Sequence, residues 1–349
     1  MVAKGLEGVV VEETGISDVR AEGVLQYRGV DIADLVDEPF LDVAEWVVTG
    51  KRGQSFAGLL AQSANLTAAE TAWILALPAS THPMQVLQAM VPVLSGATEL
   101  GFGEADAGLH VAAKLPAVVA THLLRRPVQM DISLPYAERF LSALGVRDAN
   151  HIQAFNMTQI LQIEHSFNAG TFAARVVAST LASVSSAVAA GIGALSGSLH
   201  GGADQDVLEI ADPLADEASA RAYVRDSLAQ GIKLPGMGHR EYRVRDPRAE
   251  CLQQWAEKLA LGSEHEHTYL KLVAMEDEFR QLMSAKGKEL YANVDFYKGI
   301  VYRSIGLPNH FFTAGFAMAR VFGYVAHFIE SRVDNRIYRP AARYVPRVA

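Results

Sequence analysis

The sequence predicts an all-α fold of many helices with a small N-terminal β ribbon. Apolar residues recur at helical spacing through most of its 349 residues, the pattern of helices with one buried face. Alternation typical of strands is confined to short segments before residue 28, and the sequence contains no tandem repeat or low-complexity linker. A composition that is 50% hydrophobic is enough to bury a sizeable core.

The elements follow in order along the chain. Short alternating segments at residues 9–11 and 24–27, separated by Gly and Asp, predict the ribbon. Thr67, with Glu70 three residues later, predicts a capping box, and the glycine-rich acidic segment 99–107 predicts a loop. Helical spacing predicts helices that begin at Pro83, lie within 248–290, and cover residues 41–48, 55–60, 67–77, 112–124, 136–144, 153–165, 171–195 and 311–330.

Composition excludes several classes of protein. The formal net charge is −8 and the sequence pI is about 5.8, without basic blocks, which argues against nucleic acid as a partner. The lone cysteine, Cys251, excludes an internal disulfide and a cysteine-based zinc site, and it fits a reducing cytoplasm. The first residues form no apolar run, so we expect no signal peptide and a cytoplasmic location.

One uncharged stretch, residues 176–199, has the length of a membrane span. It is rich in Ala, Ser and Gly and poor in Leu, Ile and Phe, so its insertion into a bilayer would be weakly favourable. Small residues at Ala174, Ala178 and Ala182 allow close helix packing. The stretch therefore predicts a buried helix at a domain core or subunit interface, and we expect no membrane association.

Two glycine-flanked histidines and one isolated acid are the candidates for chemistry. His200 lies in a glycine-rich turn, and we expect Asp204 to cap the helix that follows and the helix dipole to keep the imidazole neutral. His239 ends a second glycine-rich loop, and Asp295 stands between apolar neighbours. Each has a structural alternative, because the histidines could pack in capped turns and Asp295 could be a helix cap or a salt-bridge partner.

Isolated arginines complement these groups. Arg320 interrupts an apolar helix, Arg248 belongs to a cluster of arginines after His239, and Arg339 precedes Pro340. A guanidinium in apolar surroundings pairs with a carboxylate. That carboxylate belongs either to the protein or to a dicarboxylate or tricarboxylate ligand held in a bidentate manner.

Three motifs then occur in order at wide separations: Ser198-Leu199-His200-Gly201-Gly202-Ala203, Gly236-Met237-Gly238-His239-Arg240 with Asp246-Pro247-Arg248, and Asn293-Val294-Asp295-Phe296-Tyr297. They resemble the citrate synthase family, which includes the 2-methylcitrate synthases. The resemblance spans nearly the whole chain, because three further segments are similar to that family: Tyr27-Arg28-Gly29-Val30-Asp31-Ile32, His82-Pro83-Met84 and Arg339-Pro340. It implies a two-domain multi-helical fold, with a large domain of residues 1–217 and 323–349 and a small domain of residues 218–322.

The resemblance also implies a reaction, the condensation of acetyl-CoA with oxaloacetate and water to give citrate and CoA. Asp295 would take the α-proton of the thioester, His200 would stabilise the enolate oxygen, and His239 would polarise the ketone and protonate the alkoxide. Neither a metal nor a permanently bound cofactor is implied, and the CoA thioester is a co-substrate.

Substrate contacts follow from the same resemblance. His165, Arg248 and Arg320 would bind oxaloacetate, together with Arg339 from the other subunit of a homodimer. By the same resemblance, Arg243, Asn293 and the backbone near Gly236 are expected to contact CoA.

Three positions depart from the family pattern, and three alternatives stay open. Ser166 stands where a glutamate is common, Asp204 where an asparagine is common, and Ala341 where an arginine is common. A 2-methylcitrate synthase using propionyl-CoA would need the same catalytic trio of His200, His239 and Asp295. A metal-dependent hydrolase would gather His165 with the trio around a divalent ion, and a non-catalytic paralogue would keep only the helical dimer.

Overall fold

The computed structural model describes residues 4–53, 56–94, 96 and 99–346 of the chain. Within them the fold is helical, with one small sheet, as the sequence predicts. The α-helices are α1 Phe40–Thr49, α2 Phe56–Ala61, α3 Ala68–Ala76, α4 Pro83–Met90, α5 Asp106–Leu124, α6 Tyr136–Ala143, α7 Ala149–Gln162, α8 Ala169–Ser179, α9 Val184–Leu195, α10 Ala203–Ala211, α11 Glu217–Ala229, α12 Pro247–Ala260, α13 Glu266–Ser284, α14 Val294–Ser304 and α15 Phe312–Val333.

The predicted ribbon is an antiparallel sheet of three strands, β1 Ser17–Arg20, β2 Val24–Tyr27 and β3 Val30–Asp31, in the order β1-β2-β3. Tyr27 attaches the sheet to α7, because its buried hydroxyl donates to the carbonyl of Ile160 over 2.9 Å. The prediction of a strand at residues 9–11 is wrong. Those valines are exposed and have no strand partner in the described sheet, so a local β-propensity there is not supported by packing.

Most predicted helices are confirmed to within a few residues, and their caps explain why. Thr67 and Glu70 form the expected capping box at α3, and Pro83 occupies the first turn of α4 behind the His82 cap. The predicted start of α2 at Ser55 lies outside the described residues, and the helix runs from Phe56.

The single long helix predicted over residues 171–195 is wrong, because the chain forms α8 and α9 with a turn between them. Leu181 adopts a left-handed conformation with φ of 65°, which ends α8. Ser183 then caps α9 by accepting the backbone N–H of Ser186. Small apolar residues continue at helical spacing on both sides of this turn. The hydrophobic periodicity therefore does not reveal it, and only these few residues end one helix and start the next.

The predicted loop over residues 99–107 is partly helical. A 3-10 turn covers Gly103–Ala105, and α5 starts at Asp106. The Asp106 carboxylate accepts backbone N–H groups from Leu100, Gly101 and Phe102. The acidic residue that favoured a loop is therefore the group that organises the approach to α5.

The core is built around α15, which packs on α1, α5, α7, α8 and α9. Two helical stretches, Gly103–Leu124 and Asn309–Val333, are apolar and long enough to cross a membrane by length and composition, but 83% and 94% of their apolar windows are buried inside the fold. Their apolarity is explained by core packing. Near the end of this core, α10 lies against α14, and this contact brings the predicted chemical residues together.

Candidate active site

The loop between α9 and α10 carries His200. Gly201 is required there, because a Cβ at this position would lie 2.5 Å from the carbonyl oxygen of Leu195. The predicted cap by Asp204 is wrong: Gly202 is the N-cap residue and provides no side chain. Asp204 lies in the first turn of α10 with its carboxylate fully buried, facing Lys298.

His200 is held by a hydrogen bond and an aromatic contact. Its Nε2 lies 3.2 Å from Oδ1 of Asn168, which also accepts the backbone N–H groups of Gly170 and Thr171 at the start of α8. Since Oδ1 only accepts, the neutral imidazole carries its proton on Nε2 in this arrangement. The ring centroid lies 6.4 Å from that of Phe316, in an edge-on orientation.

The loop of His239 is shaped by glycine and by backbone donors. Gly236 has φ of 70°, and a Cβ there would lie 3.0 Å from Cα of Phe296. His239 Nδ1 accepts the backbone N–H groups of Glu241 and Tyr242, at 3.0 and 3.2 Å. The neutral tautomer therefore has its proton on Nε2, the nitrogen on the other side of the ring.

Arg248 approaches that proton-bearing nitrogen. It lies at the start of α12, where Asp246 caps the helix and binds the guanidinium through Nε at 3.0 Å and Nη2 at 2.8 Å. Nη2 also lies 3.4 Å from Nε2 of His239. With the tautomer fixed as above, two N–H donors lie side by side, which is favourable when both donate to one acceptor oxygen beside them.

His165 completes this side of the site. It is buried at the end of the segment after α7, and its Nε2 lies 3.0 Å from the hydroxyl of Tyr242. Its ring centroid is 5.1 Å from that of His239, and Tyr242 stacks on His239 at 4.5 Å. The structure thus brings His165, His239 and Arg248 together, as the sequence predicts, and adds Tyr242 and Asp246.

Asp295 lies in the first turn of α14, where Asn293 is the N-cap. The side chain of Asn293 accepts the backbone N–H of Asp295 and donates to the carbonyl of Gly238, both over 2.9 Å. Its backbone N–H donates to the carbonyl of Gly236 over 2.9 Å. Asn293 and Gly236, expected to contact CoA, therefore join the His239 loop to the helix of Asp295. Lys298, one turn later, donates to Asp295 Oδ1 over 2.7 Å.

Arg320 is buried on α15, as its apolar neighbours predict. Nε donates to the carbonyl of Gln162 over 2.8 Å, and the guanidinium carbon lies 4.7 Å from the ring centroid of Phe316. Nη1 is buried without a hydrogen-bond partner among the described residues. Burial lowers the pKa of Arg320 from its usual value, although the nearby Glu164 carboxylate opposes the shift.

Burial also sets the charge of the histidines. It lowers the pKa of His200 to about 4, with Arg320 adding to the effect, and it lowers the pKa of His239 to about 4, with Arg248 adding to it. Burial and the same two arginines, together with His239, bring the pKa of His165 well below its usual value. Asp295 opposes the shift at both His200 and His239 and thus lies near both. All three imidazoles are neutral at pH 7.

This shift predicts a loss of stability in mild acid. His200 is protonated near pH 6.5 in the unfolded chain and near pH 4 in the folded chain. The free energy of unfolding is therefore unaffected by this group above pH 6.5 and decreases as the pH falls from 6.5 toward 4, because only the unfolded chain then gains the proton readily. We expect this side chain to contribute about 1–2 kcal/mol to the fall in unfolding free energy between pH 7 and pH 5. Urea unfolding of wild type and His200→Gln at both pH values measures it. An equal fall in the two proteins would contradict the assignment.

A cleft of about 570 Å³ opens onto this arrangement. Asp295, Asn293 and His200 line it with the apolar side chains of Leu199 and Leu234. The cleft has both the chemical groups and the apolar wall that a small-molecule site requires.

Two predicted site residues lie apart from these contacts. The exposed Arg243 side chain donates to the backbone carbonyl of Arg240, and the exposed Arg339 in the C-terminal tail donates to that of Pro340. Sequence reasoning assigned no role to Lys298, although a lysine one turn after an isolated aspartate was a readable signal. Among the residues that the structure describes, no group of three or more His, Cys, Asp or Glu side chains is arranged to hold a metal ion.

Comparisons with known proteins agree with the fold and the motifs. The family model for the citrate synthase C-terminal domain matches residues 5–341. The citrate synthase of a Synechocystis species is 35% identical, covering 98% of this chain and 90% of the relative. The 2-methylcitrate synthase of Shewanella oneidensis is 33% identical, covering 99% of this chain and 95% of the relative.

Solved structures give the same result. A citrate synthase from the thermophilic archaeon Thermoplasma acidophilum, in a ternary complex with carboxymethyl coenzyme A and oxaloacetate, superposes with a TM-score of 0.92 at 29% identity, covering 100% of this chain and 97% of that one. The citrate synthase of Thermotoga maritima gives a TM-score of 0.89 at 30% identity, covering 100% and 97%. With its motifs, its fold and relatives more than 30% identical over nearly its whole length, this chain belongs to the citrate synthase family.

Proposed function

We propose that this chain condenses acetyl-CoA with oxaloacetate and water to give citrate and CoA. Because it belongs to this family, the chain is a citrate synthase-type enzyme, a transferase. This assignment is preferred to a metal-dependent hydrolase or a non-catalytic paralogue. The finer assignment of the acyl group rests on the site and on the experiment below.

The observation that carries the proposal is a pair of arginines that present N–H groups beyond those bound by protein acceptors, because Arg248 Nη2 gives one N–H to Asp246 and has a second. Nη1 of Arg320 is buried and unpaired among the described residues, and Nη2 of Arg248 faces the Nε2 proton of His239 at 3.4 Å. Both arginines act electrostatically on His165, so they share one neighbourhood. A compact dianion with a ketone oxygen supplies the acceptors for these groups, and oxaloacetate has that chemistry.

The steps then follow from where the protons lie. Asp295 takes a proton from the α-carbon of the thioester, and the enolate carbon attacks the ketone carbon of oxaloacetate. His239 Nε2–H donates to the ketone oxygen and gives it the proton as the alkoxide forms. Water then hydrolyses the citryl-CoA thioester to citrate and CoA.

His200 supports the enolate. Its Nε2–H points at Oδ1 of Asn168, an acceptor that already has two backbone donors. A thioester oxygen that gains negative charge competes well for this proton, because Asn168 keeps its other bonds. A neutral imidazole matches a weakly acidic enol better than a cation does, and burial keeps His200 neutral.

A 2-methylcitrate synthase that uses propionyl-CoA is the second candidate. Curated relatives of both names lie at 33–35% identity. The two reactions need the same groups and differ in the space around the acyl methyl. One methylene is worth about 1–3 kcal/mol of discrimination, so we expect activity with both thioesters.

The test is a thiol-release assay with acetyl-CoA and propionyl-CoA, each with and without oxaloacetate. We expect release that requires oxaloacetate, and kcat/KM higher for acetyl-CoA by about 10- to 200-fold. Citrate is identified directly as the product. A higher kcat/KM for propionyl-CoA would select the second candidate, and no oxaloacetate-dependent release with either would refute both.

The assembly and its contacts are also proposals. We propose a cytoplasmic homodimer in which Arg339 reaches the partner's oxaloacetate site. An exposed C-terminal tail supports it, since Tyr344 and Val345 are 86% and 72% exposed and apolar surface of this kind favours a partner. Arg243, Gly236 and Asn293 stay proposed neighbours of CoA.

The two-domain division is proposed on the same basis. The small domain, residues 218–322, starts in the first turn of α11 and ends within α15. It contains His239 and Asp295, whereas His165 and His200 precede it. Closure of the two parts on oxaloacetate would exclude water until condensation is complete.

A further inference from the structure

Lys298 bridges two buried carboxylates beside the proposed base. Its side chain is fully buried on α14, and Nζ donates to Asp295 Oδ1 over 2.7 Å. Nζ also lies 3.2 Å from Oδ2 of Asp204 on α10. This second contact is ionic without the angles of a hydrogen bond, because Asp204 Oδ2 has no hydrogen-bond partner among the described residues.

The three charges depend on one another. Burial disfavours the ammonium of Lys298, but Asp204 and Asp295 overcome it and raise the pKa of Lys298. Burial raises the pKa of Asp204 and Asp295 adds to the effect, while Lys298 opposes it. Loss of the ammonium would leave two buried carboxylates with no cation between them, an arrangement that folding disfavours.

The bridge joins helices that carry different parts of the site. Asp204 is in the first turn of α10, directly after the His200 loop, and Asp295 is in the first turn of α14. The two backbones meet at Gly299, where a Cβ would lie 2.7 Å from the carbonyl oxygen of Asp204. Phe316 closes the third side, with its ring centroid 4.4 Å from Nζ of Lys298.

We propose that Lys298, anchored by Asp204, is a positioning residue for Asp295, holding Oδ1 so that Oδ2 faces the α-carbon of the acyl thioester; this inference rests on the proposed function. Oδ2 of Asp295 accepts no hydrogen bond from the described residues, and Asp295 lines the cleft beside His200. A carboxylate fixed through one oxygen keeps a single orientation, so the other oxygen is placed for proton transfer before the thioester arrives.

A purely structural role of Lys298 predicts a different result. If Lys298 only neutralised Asp204 for folding, removing both charges together would restore a normal enzyme. If it orients Asp295, the doubly substituted enzyme folds well and stays slow, because Oδ1 has lost its donor.

The experiment compares Lys298→Met, Asp204→Asn and the double variant. We expect Lys298→Met to lower Tm and the double variant to recover it. At saturating substrates kcat should fall at least about tenfold in both Lys298→Met and the double variant. This is part of the rate enhancement of about 10²- to 10⁴-fold that a positioned general base supplies. The KM for oxaloacetate should stay unchanged. The deuterium isotope effect on kcat with trideuteroacetyl-CoA should rise in both, since proton abstraction becomes the slow step.

The matched control removes another buried ion pair, Lys114 with Glu70, whose charged atoms lie 2.7 Å apart. The double variant Lys114→Met with Glu70→Gln should keep wild-type kcat and isotope effect. Wild-type kcat or an unchanged isotope effect in the Lys298 and Asp204 double variant would overturn the positioning role alone. Failure of the wild-type enzyme to release CoA with oxaloacetate would instead refute the proposed function, and the inference with it.

Discussion

Replacing Asp295 by alanine is expected to lower kcat for condensation by about 10²- to 10⁴-fold, the usual contribution of a positioned general base. The side chain lines the cleft, and its carboxylate is held by Lys298 Nζ over 2.7 Å. Asp206 and Glu209 of α10 also line the cleft, but both side chains are exposed, whereas Asp295 is buried. Thiol release at saturating substrates measures the loss.

Binding separates this effect from damage to the site. The oxaloacetate contacts proposed for Arg248 and Arg320 do not involve Asp295, so calorimetric binding of oxaloacetate to Asp295→Ala should match the wild-type protein. Asp226→Ala, an exposed position on α11, is the matched surface control and should retain full turnover. Turnover of Asp295→Ala at the wild-type rate would refute its role as the base.

Replacing Arg320 by methionine should instead abolish tight binding of oxaloacetate. Truncating one partner of a buried charged contact costs about 2–5 kcal/mol, so the oxaloacetate Kd should rise at least about thirtyfold. The unpaired Nη1 is the reason to expect a large effect, because it has no protein acceptor in the described residues and is free for the substrate.

Stability gives this prediction its sharpest control. Since Arg320 is a buried cation whose pKa burial lowers, its replacement by an apolar side chain should leave Tm unchanged or raised. Arg139, another buried arginine, donates to the carbonyls of Leu134 and Ile132. Arg139→Met should lower Tm and leave oxaloacetate affinity intact. Unchanged oxaloacetate affinity in Arg320→Met would contradict the assignment.

The candidate residues of the site can be found from the sequence more readily than the contacts between them. Glycine beside His200 and His239, and an aspartate among apolar residues, are local signals, and the structure brings these residues close to one another. Arg320 was readable for the same reason, because a cation in an apolar helix is costly without a partner. The helical fold was readable from periodicity, and packing around α15 confirms it.

The side-chain contacts of the site could not be predicted from the sequence, because they join residues that are distant along the chain. Asp204 and Lys298 are far apart in sequence, and the close approach of α10 and α14 at Gly299 makes them neighbours. The same burial explains the wrong prediction of Asp204 as a cap. Asp204 lies inside the first turn of α10, where Oδ1 accepts the backbone N–H of Gln205 and Oδ2 faces the buried lysine, and the N-cap position is held by Gly202.

The structure also explains how the chain accommodates Ser166 at a position where the family pattern commonly has glutamate. Its backbone has φ of 51°, and its N–H donates to Oγ of Ser17 in the first strand over 3.0 Å. The same hydroxyl donates to the buried carboxylate of Glu164 over 3.1 Å. A carboxylate is thus present two residues earlier, bound to the ribbon and to His327 over 3.0 Å.

The double attachment of Asn293 has a consequence for how such an enzyme can diversify. By capping the helix of Asp295 and binding the loop of His239, it joins the proposed base and the proposed acid into one unit. The cleft wall at Leu199 and Leu234 lies outside that unit. If the proposed function holds, smaller side chains at these two positions would widen the cleft for a bulkier acyl chain and leave the Asn293 bonds in place, so acyl preference could change between relatives while the reaction is kept.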